Sequence, residues 1–281
     1  MNPTRTLTRS MAALAACSLV AGLAVATTTT SSQASAPAGT HDRAGNNTFK
    51  VTLTVSNDEP EQFSTIKLKG QVKPLRPGSK VVLQKKGADD DKWRNFDTDV
   101  LNNKGKFKFK DKIDTVRFRQ YRVVKAAEGG RRAGKSNLVG VTVYGWRDLT
   151  SLAPVAATGT GETSSVKING TDYAQSIQGN NWGNAGSIAY NIDRKCKRFS
   201  GRVGLSDSSD ITATGAITLK ADTAPFYSNS FGLTQSAPVT RDVTNVFRIT
   251  VDWTSSNTEG TPEDQSGAII AVGSPRLLCS F

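Results

Sequence analysis

The sequence of 281 residues holds one histidine, His41, together with two methionines and three cysteines. That scarcity removes most familiar catalytic machinery. His41 lies in a small, polar stretch from Ser35 to Asn46, so no Ser-His-Asp or Cys-His arrangement is available on a folded domain. There is no H-E-x-x-H, no P-loop and no nucleophile elbow. A glycosidase needs only two carboxylates, so a small hydrolase using a pair such as Asp207 and Asp264 stays as an alternative. Against it, the chain lacks the long loops that wall a deep cleft. No catalytic residue, cofactor or metal is expected.

Long apolar runs are also missing. Met11 to Ala26 is the one apolar stretch, sixteen residues long, and a bilayer span needs about 20. With Arg5 and Arg9 before it and Ser32-Gln33-Ala34 after it, residues 1–34 read as a secretory signal cut after Ala34. Ala34-Ser35-Ala36 is the alternative cut. Leu14-Ala15-Ala16-Cys17 matches a lipoprotein box, yet apolar residues continue past Cys17 instead of ending there. No Leu-Pro-x-Thr-Gly signal follows. The expectation is a bacterial protein released from the cell, with association to the envelope as the alternative.

What remains is dominated by short alternating segments with no long helical periodicity. Val51, Leu53 and Val55 alternate with Thr52 and Thr54; Ile66 and Leu68 alternate with Lys67 and Lys69. Arg76-Pro77-Gly78, Asn102-Asn103 and Gly129-Gly130 punctuate these runs. An all-β fold is expected: a linker at 35–46, a β-sandwich at 47–145 with Trp93 as a core aromatic, and a jelly roll at 146–281.

Charge divides unevenly between these two parts. Residues 47–145 hold 22 Lys plus Arg against 11 acids, a net +11, whereas residues 146–281 hold 11 against 12, a net −1. Lys104, Lys106, Lys108, Lys110 and Lys112 fall at every second position, with Phe107 and Phe109 between them. On a strand this sets the lysines on one face about 6.6 Å apart and the rings on the other. Two readings stay open: a solvated outer face that protects against edge pairing, or a landing surface for a polyanion. For an exported protein the second reading means an anionic envelope polymer; nucleic acid is not expected.

The first part resembles a bacterial immunoglobulin-like or fibronectin-III-like module. The resemblance rests on Gly70-x-Val72-x-Pro74, Pro77-Gly78-x-x-Val81-x-Leu83-Gln84, Trp93, Gly105-x-Phe107-x-Phe109 and Tyr121-Arg122-Val123. It implies a spacer or adhesive role.

The second part resembles the NPCBM family of carbohydrate-binding modules, which are galactose-binding-like jelly rolls. The resemblance rests on Ile168-x-Gly170-x-x-Tyr173-x-x-Ser176-Ile177, Ile188-x-Tyr190, Phe199-Ser200-Gly201-x-Val203-Gly204, Asp242-Val243-x-x-Val246 and Pro275-Arg276-Leu277. It implies a non-catalytic partner for carbohydrate or cell-wall polysaccharide. Where that family carries Asp-His-Ala-Asp-Trp before the last strand, this chain has Glu263-Asp264-Gln265-Ser266-Gly267-Ala268, keeping one acid but neither histidine nor tryptophan.

A sugar ring stacks its apolar face on an aromatic side chain while amides and carboxylates hold its hydroxyls. Trp182, flanked by Asn181 and Asn184 in a polar loop, is the leading candidate, with Tyr227 as a second loop aromatic and Asp264 as the acid. Trp182 could instead fold back over the sandwich edge. Trp253 follows a strand and reads as core. Asp207-Ser208-Ser209-Asp210 reads as a plain turn, with calcium as the alternative.

Cys196 opens one strand and Cys279 closes the last. In an exported protein they read as a disulfide rather than as metal ligands, since no CxxC or nearby histidine supports a metal site. Closing a loop of that length stabilises by roughly 4 kcal/mol on the chain-entropy account.

Overall fold

The computed structural model describes residues 47–179, 185–256 and 267–281. The expected signal and linker, the lipoprotein-box Cys17, and candidates Asn181, Trp182, Asn184 and Asp264 lie outside the described residues.

Eight strands build the first sandwich: β1 (Lys50–Val55), β2 (Thr65–Lys73), β3 (Lys80–Gly87), β4 (Arg94–Val100), β5 (Lys106–Lys112), β6 (Phe118–Lys125), β7 (Gly134–Lys135) and β8 (Val139–Thr142). One sheet runs in the order β1-β2-β5 and faces a second in the order β4-β3-β6-β7, to whose β6 strand β8 also pairs. Strict alternation explains the layering. In β5 each phenylalanine is buried and each lysine exposed, so Phe107 and Phe109 join Leu53, Leu68, Leu83 and Val123 in the core. Tyr121, fully buried, is the central aromatic.

Trp93 corrects the expectation of a core tryptophan. It precedes β4, is half-buried, and lies against Arg122, whose guanidinium sits 4.2 Å from the ring centroid. The charged and polar residues around it, Asp91-Lys92 before and Arg94-Asn95 after, give no apolar face to draw the strand entry inward.

The second sandwich begins with β9 (Gly145–Asp148) and a single 3-10 turn (Leu149–Ser151). Ten strands follow: β10 (Ala156–Thr158), β11 (Thr160–Ile168), β12 (Thr171–Gly179), β13 (Gly186–Asn191), β14 (Cys196–Leu205), β15 (Thr214–Ala221), β16 (Ala224–Gly232), β17 (Ser236–Asp242), β18 (Arg248–Ser256) and β19 (Ile270–Cys279). A five-stranded sheet runs β10-β13-β18-β15-β16; the other runs β11-β12-β19-β14-β17, with β9 added beside β19. Tyr190, Phe199, Val203, Leu219, Val251, Trp253 and Leu277 fill the space between them. Trp253 is 3% exposed, as its strand position leads one to expect. Cys196 and Cys279 face one another in register on β14 and β19 and are joined as a disulfide.

The β11–β12 hairpin forms a second, smaller core on β19. Val166, Ile168 and Tyr173 pack on Ala271, on the side of β19 away from the main core. Two glycines make room: a Cβ on Gly273 would come within 2.6 Å of the Tyr173 ring, and one on Gly204 within 2.8 Å of Ile168. The hairpin's turn, Asn169-Gly170, has positive φ at both residues and donates both amides to the Asp207 carboxylate, at 2.7 and 2.8 Å. Asp207 therefore acts as a clamp on a type I′-like turn.

The described residues from Asn47 on belong to one compact unit. Lys197 pairs with Glu59 and lies 4.2 Å from the Tyr144 ring centroid, and Arg198 reaches Glu61 at 3.6 Å. Among the described residues no helix is long and apolar enough to cross a membrane.

Candidate functional site

Two loops expected to carry the sugar site spring from the same end of the second sandwich. One connects β12 to β13, between Gly179 and Gly186; the other connects β18 to β19, after Ser256 and before Gly267. Register brings their roots together. Gly186 pairs with Trp253, Gln178 with Ala271, and Thr214 with Ser256. Trp253 fills the space beneath them. A Cβ on Gly186 would lie 2.2 Å from its ring and a Cβ on Gly179 2.7 Å from its Nε1, so both roots require glycine for the indole to fit. The indole N–H is buried and has no hydrogen-bond partner among the described residues, an uncommon state for a buried donor.

The 206–213 segment borders the same end and is firmly tied. The Ser206 amide donates to Ile269 O at 2.8 Å, and the Ile269 amide donates to Ser209 Oγ at 3.0 Å. Ile211, 85% exposed, stands out from this segment. Periodicity could not flag it, because a single apolar residue in a polar turn has no pattern. With the Asp207 carboxylate committed to the hairpin turn, the segment is the structured turn that its sequence suggests.

Tyr227 is not a loop residue. It lies within β16, paired with Leu219 and packed against the main core. The β15–β16 connection is only Asp222-Thr223, with Asp222 at positive φ, so Pro225, Phe226 and Tyr227 continue the strand. Phe226 turns to Phe199, with ring centroids 5.8 Å apart. Five register pairs separate Tyr227 from Gly232, the β16 terminus at the Trp253 end. Tyr227 therefore lies in the row of Leu219 and Val251, two residues along the sheet from the row that joins Asn229, Ile217 and Trp253.

The lysine face of the first sandwich is fully described. Lys106, Lys108, Lys110 and Lys112 are exposed on β5. Lys104 corrects the five-residue ladder: it lies in the turn before β5, its amide bonded to the Asn102 side chain. The neighbouring strand extends the pattern instead, with Lys69 directly opposite Lys108 and Lys67 opposite Lys110. Among the described residues none of these six strand lysines makes an ion pair. A groove of about 610 Å³ crosses this face, bordered by Thr52, Thr54, Lys69, Gln71, Lys106 and Lys108. Its one acid is Asp99, which accepts the Lys108 backbone amide at 2.8 Å.

No family model matches this chain, and no curated protein matches it. Solved structures similar to it include a CBM51 module from Clostridium perfringens GH95, described in complex with methyl-galactose. That match is 14% identical, covers 47% of this chain and 99% of the module, and has a TM-score of 0.36. A second, CBM51-2 with INT domains from Clostridium perfringens ZmpB in complex with GlcNAc, is 11% identical over 58% of this chain and 37% of that one, with a TM-score of 0.37. A third, a CBM36-1 domain of a multidomain xylanase from the hindgut metagenome of Trinervitermes trinervoides, is 13% identical over 47% of this chain and 94% of that one, with a TM-score of 0.27.

Proposed function

We propose that this is a secreted, non-catalytic glycan-binding protein. Its C-terminal jelly roll, residues 146–281, holds carbohydrate at the Trp253 end. Its basic sandwich, residues 47–145, serves as spacer and envelope contact. The observation that carries the reading is the meeting of two loop roots over Trp253. The sequence of one loop contains Trp182 with Asn181 and Asn184, and that of the other contains Asp264. An aromatic face, amides and a carboxylate are the groups that sugar recognition needs.

Binding of wild type and Trp182→Ala to a panel of polysaccharides tests the proposal. Loss of binding in a variant that keeps its thermal unfolding temperature supports it; absence of binding by the wild type to every glycan refutes it. Product release from a bound polymer would favour the hydrolase alternative.

The envelope role rests on the lysine face. Directly opposed like charges on neighbouring strands destabilise a sheet, and two such pairs, Lys67 with Lys110 and Lys69 with Lys108, sit here unneutralised. An anionic polymer lying along this face relieves that repulsion. Retention on anionic cell wall should fall steeply between low and half-molar salt; retention independent of salt would rule the contact out.

A further inference from the structure

At the end of the first sandwich where β3 stops and β4 and β6 begin, a pocket of about 450 Å³ opens. Lys85, Arg94, Arg117 and Arg119 line it, against the single acid Asp90. It is distinct from the lysine face, which lies on the outer side of the other sheet.

Arg119 is the unusual member. It is 3% exposed, and its Nε has no hydrogen-bond acceptor among the described residues. Nη2 donates to the Thr115 carbonyl at 2.7 Å. The nearest carboxylate oxygens are 3.9 Å away on Asp111 and 4.0 Å away on Asp114, beyond hydrogen-bond reach. Asp111 Oδ2 is shared between the Tyr121 hydroxyl at 2.5 Å and Lys85 at 3.3 Å. A buried guanidinium short of acceptors, at the wall of a cationic pocket, calls for an acceptor from outside. The planar donor fork of arginine suits a multidentate oxyanion. Arg94, 80% exposed and 3.8 Å from Asp90, and the exposed Arg117 supply further donors.

We propose that this pocket binds a tetrahedral oxyanion, phosphate or sulfate, with Arg119 as its buried anchor and Arg94 and Arg117 as its outer donors. The proposal is independent of the glycan site and of the lysine face. It concerns the chemistry common to phosphorylated and sulfated ligands.

The full chain, titrated with sodium phosphate and with sodium sulfate and followed by amide resonances, tests it. Sodium chloride at matched ionic strength is the control. Saturable shifts of the Gly87 and Asn95 amides with either tetrahedral anion, absent with chloride, are expected; the anion that binds more tightly identifies the source. Arg94→Gln combined with Arg117→Gln should weaken binding about tenfold or more without changing the unliganded unfolding temperature. Arg119→Lys, which keeps the charge but loses the fork, should weaken it comparably. If Arg119→Lys fails to fold, the outer double variant decides. Replacing Lys106, Lys108, Lys110 and Lys112 together by glutamine should leave it intact. A response that follows ionic strength alone, unchanged affinity in the outer double variant, or loss in the lysine-face variant would each overturn the proposal.

Discussion

The two sandwiches use the same alternation of strand residues but seal different chemistry inside. Among the described residues, the first buries Asp111, Arg119 and Lys125 beside its apolar core, and the second buries only the hydroxyl side chains of Ser176, Ser206 and Ser209. The first has no crosslink; the second joins its inner strand β14 to its last strand β19 through Cys196 and Cys279. Buried charge contributes little net stability, because desolvation offsets the attraction, but removing one partner costs heavily. A disulfide acts chiefly by restricting the unfolded chain. The basic half therefore depends on a few matched charges, and the near-neutral half on a covalent tie and a continuous apolar interior.

The sharpest break of this contrast removes the tie. Cys196→Ala with Cys279→Ala opens a loop spanning a sequence separation of 83 residues, which should cost about 4.5 kcal/mol. Hydrogen exchange should show amides of β18 and β19 losing protection while those of β5 and β6 keep theirs. Equal loss in both halves would mean that they unfold as one.

The converse variant is Asp111→Ala. It removes the nearer of the two carboxylates beside Arg119 and leaves Tyr121 and Lys85 without their shared acceptor. A loss of about 3 kcal/mol is expected, read as reduced protection in β5 and β6 with β18 and β19 unaffected. A neutral result would show that Asp111 is not the countercharge of this core.

In alkali the halves should behave alike. Burial, then the hydrogen bond to Asp111, raises the Tyr121 hydroxyl well above the usual tyrosine value. Burial, then the hydrogen bond to Glu162 at 2.5 Å, does the same for Tyr190. Above about pH 10 the unfolded chain releases these protons while the folded chain keeps them. Stability is thus intact below pH 10 and falls above it, by about 1.4 kcal/mol per pH unit in each half. Urea denaturation across that range checks the slope, and a flat profile would contradict it.

The smallest effect belongs to the lysine face. Lys108→Gln with Lys110→Gln relieves both opposed pairs and should stabilise the first half by a few tenths of a kcal/mol, while weakening retention on anionic wall. Destabilisation would mean that these side chains make packing contacts the opposed-charge argument omits.

Alternation made the strands legible, since burial on one face demands a period of two. In β5 the phenylalanines and lysines took the faces that spacing assigns them. The segment Ile168 to Ile177 was legible as strand and turn, but not as a hairpin laid on Ala271, because the room for it comes from Gly204 and Gly273 far away in sequence. Nothing in the sequence marks Arg119 as buried, since only the fold brings Asp111 and Tyr121 to it. Tyr227 reads as a loop aromatic from the sequence, but the two-residue turn Asp222-Thr223 ends before it and β16 runs through it. Cys196 and Cys279 were legible because the compartment, and not the geometry, suggested their bond.

The four tryptophans allow the most direct test of the central claim that sugar is held over Trp253. Indole N–H resonances can be followed while a glycan bound by the wild type is added. The account predicts that Trp182 and Trp253 shift together and saturate, while Trp93, beside Arg122, and Trp146, on β9, stay fixed. Saturating shifts at Trp93 or Trp146 with Trp182 and Trp253 unmoved would contradict it.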